Sequence, residues 1–233
     1  MDMKLSAMKG QLEGDFYLAA VTSAKYFTPH LLGAFHKLYP KVSLFLDVVN
    51  RSQIIQRLKN NDIDLVIMGL VPEDLPLTCY PIIDNPIVIT ASPTHPLATQ
   101  KNIPLSELLN YDFIFREQGS GTRKAFEDFL LSNQVKLSPS MVLGSSETIK
   151  QAVMADLGIS VLSRHSITLE LATHNLVELD IQGFPLMRSW YLAHHESKCL
   201  SPAAQAFVNL ILHEQETVAS LCNRFLETQF ISQ

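Results

Sequence analysis

Cysteine is scarce in this chain. Cys79, Cys199 and Cys222 are the three present, odd in number and far apart. No C-x-x-C pair and no metal-ligand spacing occurs, which argues against a disulfide framework or a metal cluster and fits reduced thiols in a cytoplasmic protein. Positive charge is also short. Lys and Arg number 18 against 23 Asp and Glu, the net charge is −5, and no basic cluster marks one face. A duplex-DNA reader carries such a face, so these residues are not expected to grip nucleic acid themselves. No apolar run approaches membrane-spanning length, and Met1–Gly10 is too short and polar for a signal peptide. The patterns Gly-x-Ser-x-Gly, His-Glu-x-x-His and Gly-x4-Gly-Lys-Ser/Thr are missing, as is a pair of carboxylates at catalytic spacing. His194 and His195 are adjacent on an expected strand and should point to opposite faces. No catalytic or metal-binding residue is nominated.

What remains is a chain of 233 residues, 47% hydrophobic and 18% charged, long enough for one large domain or two small ones. Phe16–Val21 reads as a buried strand. Thr28 and Pro29 read as an N-cap followed by a first-turn proline, and the helix ends at Pro40. Val42–Val49 is the next strand, Asn50 and Gln53 have capping-box spacing, and Asp64–Met68 is a strand buried on both faces, closed by Gly69. Strand, helix, strand, helix, strand is the grammar of a parallel sheet. A second lobe repeats it. Strands at 112–116, 141–144 and 159–162 alternate with helices opened by Gly119–Thr122 and by Ser145 and Ser146, the latter stopped at Gly158. A short helix over 166–172 and a strand over 176–181 follow, and a final helix covers about 201–227. Two strands, Ile87–Ser92 outward and Arg188–His194 back, make the middle of the chain a closed excursion. The expected fold is therefore α/β, two Rossmann-like lobes joined by two crossover strands with a hinged cleft. One lobe takes residues 14–86 with 195–233, the other takes 87–194 including both hinge strands, and 1–13 reads as the end of a linker.

In open α/β sheets a ligand lies beyond the carboxyl ends of the strands, where helix N-termini favour anions. Four corners qualify: Thr22 and Ser23; Asn50, Arg51 and Ser52; Ser120, Gly121, Thr122 and Arg123 after Arg116; and Ser145 with Ser146. The first two belong to one lobe and the last two to the other, so they are expected to face each other across the cleft. Gly-Ser-Gly-Thr-Arg is the sharpest, since Arg123 could fork onto a carboxylate or phosphate. The plainer alternative is that Ser120 or Thr122 caps a helix and Arg123 is solvated. Lys25 and Arg51 could add charge to the first lobe's edge, though for each taken singly a solvated surface role is the better reading; Thr90 and Met68-Gly69 could line the cleft wall, with core packing the better reading for Met68.

These segments resemble the effector-binding domain of LysR-type transcriptional regulators. Thr22–Phe27, Pro29, Phe35–Pro40, Asp64–Gly69, His95-Pro96-Leu97 and Val153–Leu162 carry the likeness. More narrowly, Ser23–Phe27, Asn85-Pro86, Gly119–Arg123, Ile149–Met154, Ser163-Arg164-His165, Gly183–Leu186, Trp190–Leu192 and Leu200–Ala203 look like the carbon-fixation regulators of the CbbR/RbcR type. Coverage runs from about residue 12 to 213. The resemblance implies a fold like type 2 periplasmic binding proteins and a reversible, anionic metabolite effector rather than a cofactor. Effector contacts would fall on Thr22, Ser23, Arg51, Ser52, Met68-Gly69 and Ser120–Arg123. Ser146 stands where that subgroup more often shows Asn. The resemblance also implies a homodimer or homotetramer, no membrane, and contact with DNA only through an N-terminal winged helix-turn-helix. Apolar faces of the 28–39 and 201–227 helices are the expected contacts between copies. A solute-binding protein serving a transporter is the second reading, and a dehydratase-like enzyme on the same architecture the third.

Overall fold

The computed structural model describes residues 12–60 and 63–223. Most of the expected linker end and residues 224–227 of the expected final helix lie outside them. In chain order the elements of the first half are β1 (Glu13–Val21), α1 (Thr28–Leu38), β2 (Lys41–Val49), α2 (Arg51–Asn60), β3 (Leu65–Met68), β4 (Leu77–Asp84), β5 (Ile87–Ala91), β6 (Phe113–Arg116) and α3 (Gly121–Ser132). The second half adds β7 (Met141–Leu143), α4 (Ser146–Met154), β8 (Ile159–Ser163), α5 (Thr168–Ala172), β9 (Val177–Glu178), β10 (Ser189–His195), α6 (Pro202–His213) and α7 (Gln215–Asn223).

The chain divides into two units, with boundaries after Ile83 and after Arg188. In the first unit the sheet order is β2-β1-β3-β10-β4. β1 runs parallel to β2 and β3, in register Leu18↔Leu46 and Leu18↔Leu65, whereas β10 is antiparallel to β3 with Tyr191 opposite Met68. All four residues of β3 are buried, as expected for a strand covered on both faces. On one face Phe16 of β1 meets Phe35 of α1 at 5.6 Å and Phe207 of α6 at 5.1 Å between ring centroids. At the start of α2 the expected capping box forms reciprocally. Asn50 N–H donates to Gln53 Oε1 at 3.1 Å, and Gln53 N–H donates to Asn50 Oδ1 at 3.1 Å.

The second unit repeats this plan with the order β7-β6-β8-β5-β9. β6 is parallel to β7 and β8, and β5 is antiparallel to β8. Its core stacks Phe113 on Phe126 at 5.0 Å, with Phe115 edge-on to Phe113 at 5.3 Å. Where the chain enters and leaves this unit, a buried cluster ties the two passages together. Ser163 Oγ donates to Asn85 Oδ1 at 2.7 Å, Asn85 N–H donates to Arg188 O at 2.7 Å, and His165 Nε2 meets Asp84 O at 2.9 Å. The family-like residues Asn85, Ser163 and His165 thus serve the crossing. His95 is likewise structural: its Nδ1 accepts the Leu97 N–H at 3.2 Å and its ring tilts onto Tyr111 at 4.7 Å.

Several expectations need correction. The return strand was placed in the second lobe, but β10 bonds to β3 and belongs to the first unit, so the boundaries lie at 83/84 and 188/189 rather than 86/87 and 194/195. β4 was missed because Pro81 interrupts an unalternating, half-buried run; Pro is tolerated there because β4 lies at the sheet edge. Thr28 is not an N-cap. It is the first helical residue, and its hydroxyl donates back to Ala24 O at 2.8 Å. The strand over 176–181 shrinks to Val177–Glu178, with a bridge from Ile181 to Ile103. The last helix breaks at Glu214 into α6 and α7. The apolar faces of α1 and α6, expected to meet a second copy, are consumed by the core: Leu31, Phe35 and Phe207 are fully buried, with Phe35 and Phe207 at 5.4 Å. Finally, α4 stops at Met154, and the left-handed residue after it is Asp156. Gly158 does different work, since a Cβ there would sit 2.5 Å from Asp112 O at a φ of +141°.

Gly158→Ala is therefore expected to lower stability by about 2–4 kcal/mol, read as a fall in the denaturant midpoint at unchanged slope. A second expectation concerns His95. Burial holds its pKa below the usual value, against a smaller opposing pull from Asp156. The folded state keeps the ring neutral while the unfolded chain takes up a proton near pH 6.5, so the His95 contribution to stability is lost as pH falls below about 6.5. His95→Asn should flatten the stability–pH profile just below about pH 6.5.

Candidate effector site

Both sheets place the strand after the second helix on the far side of the strand that came first: β3 lies beside β1, and β8 beside β6. Connections therefore leave in opposite directions at the carboxyl ends of β1 and β3, and of β6 and β8, which is where open α/β sheets bind ligands.

In the first unit this point gathers Thr22, Ser23, Lys25, Gly69 and Arg51. Thr22 and Gly69 continue paired strands past Ala20↔Ile67. Arg51 reaches the exit of β3, its Nε donating to Leu70 O at 2.7 Å. The turn between β1 and α1 is a compact coil closed by Ala24 N–H to Val21 O at 2.8 Å and Thr28 N–H to Ala24 O at 3.1 Å. Helix α1 begins beyond it, so Thr22 and Ser23 are not a helix N-terminus as expected. The Thr22 N–H is already given to Val49 O at 3.0 Å. Ser23 is buried, and the Lys25 ammonium lies over the Tyr26 ring at 5.1 Å. Ser52 is not part of this group: it is exposed, and its hydroxyl supports the cap by donating to Asn50 Oδ1 at 2.8 Å.

In the second unit Arg116, Ser120, Gly121, Thr122, Arg123 and Ser146 come together. Ser120 caps α3, accepting the Arg123 N–H at 3.4 Å, and Ser145 caps α4, accepting the Glu147 N–H at 3.2 Å. Ser120 O takes the Lys124 N–H at 3.0 Å. The N–H groups of Gly121 and Thr122 precede any intrahelical acceptor and have no acceptor among the described residues. Arg116, at the end of β6, is only 1% exposed. Its guanidinium donates to both carboxylate oxygens of Glu117 at 2.8 and 2.9 Å and to Ser146 Oγ at 2.9 Å.

Two expected ligand groups turn out to hold the fold. Arg123 does not offer a fork to a guest. Its Nε donates to Glu127 at 2.7 Å, its Nη1 to Arg116 O at 2.9 Å, and its guanidinium lies over Phe115 at 5.4 Å. Thr90 is fully buried within β5 and donates to Val177 O at 3.0 Å, tying β5 to β9. Sequence reasoning missed Glu117, although an acid directly after a strand-end arginine was a visible signal. It also missed Glu127, at the i,i+4 spacing that favours a helical ion pair with Arg123. Lys150, buried on α4 between Glu147 at 3.0 Å and Glu170 at 2.9 Å, was read only as a helix residue. Among the described residues no cluster of His, Cys, Asp or Glu could hold a metal ion.

The LysR substrate binding domain matches residues 9–216. The chain belongs to that family. It is 42% identical over 215 residues to the HTH-type transcriptional activator CmpR of Synechocystis sp., covering 92% of this chain and 71% of that protein. It is 41% identical over 214 residues to the RuBisCO operon transcriptional regulator of Allochromatium vinosum, again covering 92% of this chain and 71% of that protein. Among solved structures, the Synechocystis PCC6803 CcmR regulatory domain in complex with 2-PG matches with a TM-score of 0.84 at 42% identity, over 88% of this chain and 98% of that one. The fold is the two-unit α/β architecture of LysR effector-binding domains, like type 2 periplasmic binding proteins. Among the described residues, no helix is long and apolar enough to cross a membrane.

Arg116→Met is expected to cost about 2–3 kcal/mol. That lies below the usual cost of breaking a fully buried pair, because the Glu117 side chain is 22% exposed and can turn to water. Thermal or denaturant unfolding of the purified variant measures it.

Proposed function

We propose that this chain is the sensing domain of a LysR-type regulator of carbon-fixation genes and that its effector is a small anion carrying phosphate or carboxylate groups, of the 2-PG kind. The observation that carries the reading is the 42% identity, over nearly the whole of that domain, to a CcmR regulatory domain in complex with 2-PG. The relatives named as a RuBisCO operon regulator and as CbbR point to the same group of genes. The chemistry of the second unit supports an anionic guest: Gly121 and Thr122 open α3 at the end of β6 with amide donors and a hydroxyl, at the positive end of a helix. The effector acts through its difference in affinity for two conformational states, and a difference of about 1–3 kcal/mol is typical of such coupling. No catalytic step and no resident cofactor belong to this reading, and its setting is the cytoplasm. DNA contact belongs to a helix-turn-helix segment of the whole regulator. Self-association is part of the same proposal, through surfaces other than the apolar faces of α1 and α6.

Isothermal calorimetry against 2-PG and a panel of phosphorylated and carboxylated metabolites tests the effector reading. At least one should bind with saturable heat, and Thr122→Val should weaken that binding about tenfold or more through loss of a hydrogen bond to a charged group. Ser23→Ala tests the first unit's corner in the same way. Absence of heat with every member of the panel would overturn the reading.

A further inference from the structure

Trp190 is the only tryptophan in the chain, and it stands where the return strand begins. β10 pairs with β3 in the register Tyr191↔Met68, so Trp190 falls one step beyond, alongside Gly69 at the exit of β3. Its ring packs against Phe27, the last residue before α1, at 5.5 Å between centroids. The indole therefore meets both segments of the first unit's corner, the β1–α1 turn that carries Ser23 and the end of β3. Only 1% of Trp190 is exposed, yet its Nε1 has no hydrogen-bond partner among the described residues. Ser23 is buried too, and among the described residues its hydroxyl has no partner either. A buried N–H without an acceptor is costly, and native proteins retain few of them. Phenylalanine would make the same aromatic contact with Phe27 without that cost. The other buried polar atom without a partner among the described residues, Glu170 Oε2, is a different case, since the same carboxylate already meets Lys150 through Oε1 at 2.9 Å.

We infer that Trp190 is an effector-binding residue: its indole N–H is reserved for an oxygen of the effector at the Ser23–Gly69 corner. This rests on the anionic effector proposed above and deepens it, because it gives the first unit a donor and states what that end of the ligand presents. An indole N–H donates and cannot accept. It matches the bare oxygens of a carboxylate or phosphate and repels an ammonium group. Because the N–H is buried, part of the first unit has to shift before a ligand oxygen reaches it. The hydrogen bond then exists in one arrangement alone, which is the difference in affinity that an effector needs to move a conformational balance.

The test follows the indole itself in the whole chain. A lone tryptophan gives a single indole N–H cross-peak in the NMR spectrum of the isotope-labelled protein. On titration with 2-PG that peak should move downfield and saturate with the dissociation constant that calorimetry reads from the heat. Trp190→Phe keeps the aromatic contact and deletes the donor. It should bind 2-PG about tenfold more weakly or worse, and its gain in melting temperature at a fixed 2-PG concentration should shrink accordingly. Phe27→Leu removes the ring contact but leaves the N–H, so its indole peak should still move and its affinity should fall less. An indole peak that stays put while calorimetry shows 2-PG binding would overturn the inference. So would a folded Trp190→Phe that binds like the parent, or an equal loss in Phe27→Leu, which would make packing rather than the donor responsible. In each of these cases the effector reading survives. If Trp190→Phe does not fold, the parent's indole peak decides alone. If neither 2-PG nor the wider panel of phosphorylated and carboxylated metabolites gives heat or shifts with the parent chain, the effector reading falls and this inference falls with it.

Discussion

The first sheet of this protein cannot be completed by a continuous stretch of chain. β10 fills the slot between β3 and β4, which were laid down more than a hundred residues earlier, and it does so antiparallel to β3. β5 fills the matching slot between β8 and β9. Each three-stranded parallel core is thus sealed by a strand that also carries the chain from one unit to the other. The core of the first unit depends on this directly, since Trp190 of β10 packs against Phe27 at 5.5 Å and is fully buried. The hydrogen bonds among Asn85, Ser163, His165 and Arg188 fix both passages where they enter the second unit. A sheet sealed in this way keeps its crossing strand rigid up to the boundary and leaves few residues on which change of shape can concentrate.

Three buried cations of the second unit, Arg116, Arg123 and Lys150, are each met by carboxylates, so the proposed anionic effector would rely on the first-turn amides of α3 as fixed donors. Amides do not titrate and cost no reorganisation when a guest arrives, which suits a sensor whose signal must depend on metabolite concentration.

Much of the fold was legible because it rests on short-range rules. Buried β3 announced itself as an apolar run, the Asn50–Gln53 box formed as its spacing demanded, and the caps at Ser120, Ser145 and Ser201 follow from hydroxyls ahead of apolar helices. What was not legible depends on contacts distant in sequence. β4 reads as coil until β10 arrives beside it. Gly158 looks like a helix stop until the Asp112 carbonyl is seen against it. Thr90 and Arg123 carry the right functional groups for a ligand, and only their partners, Val177 O for one and Glu127 with Arg116 O for the other, reveal that both are spent on the fold. The sequence could point to these corners but could not tell which of their residues are spent on the fold.

The most direct measurement is an amide-resolved NMR titration of the chain with 2-PG. The Gly121 and Thr122 resonances should shift furthest in the second unit, with downfield proton changes typical of new hydrogen bonds to an anion, and should saturate together with any shifts at Ser23 and Gly69. Saturable shifts elsewhere with Gly121 and Thr122 unmoved would contradict the placement of the anion at the start of α3.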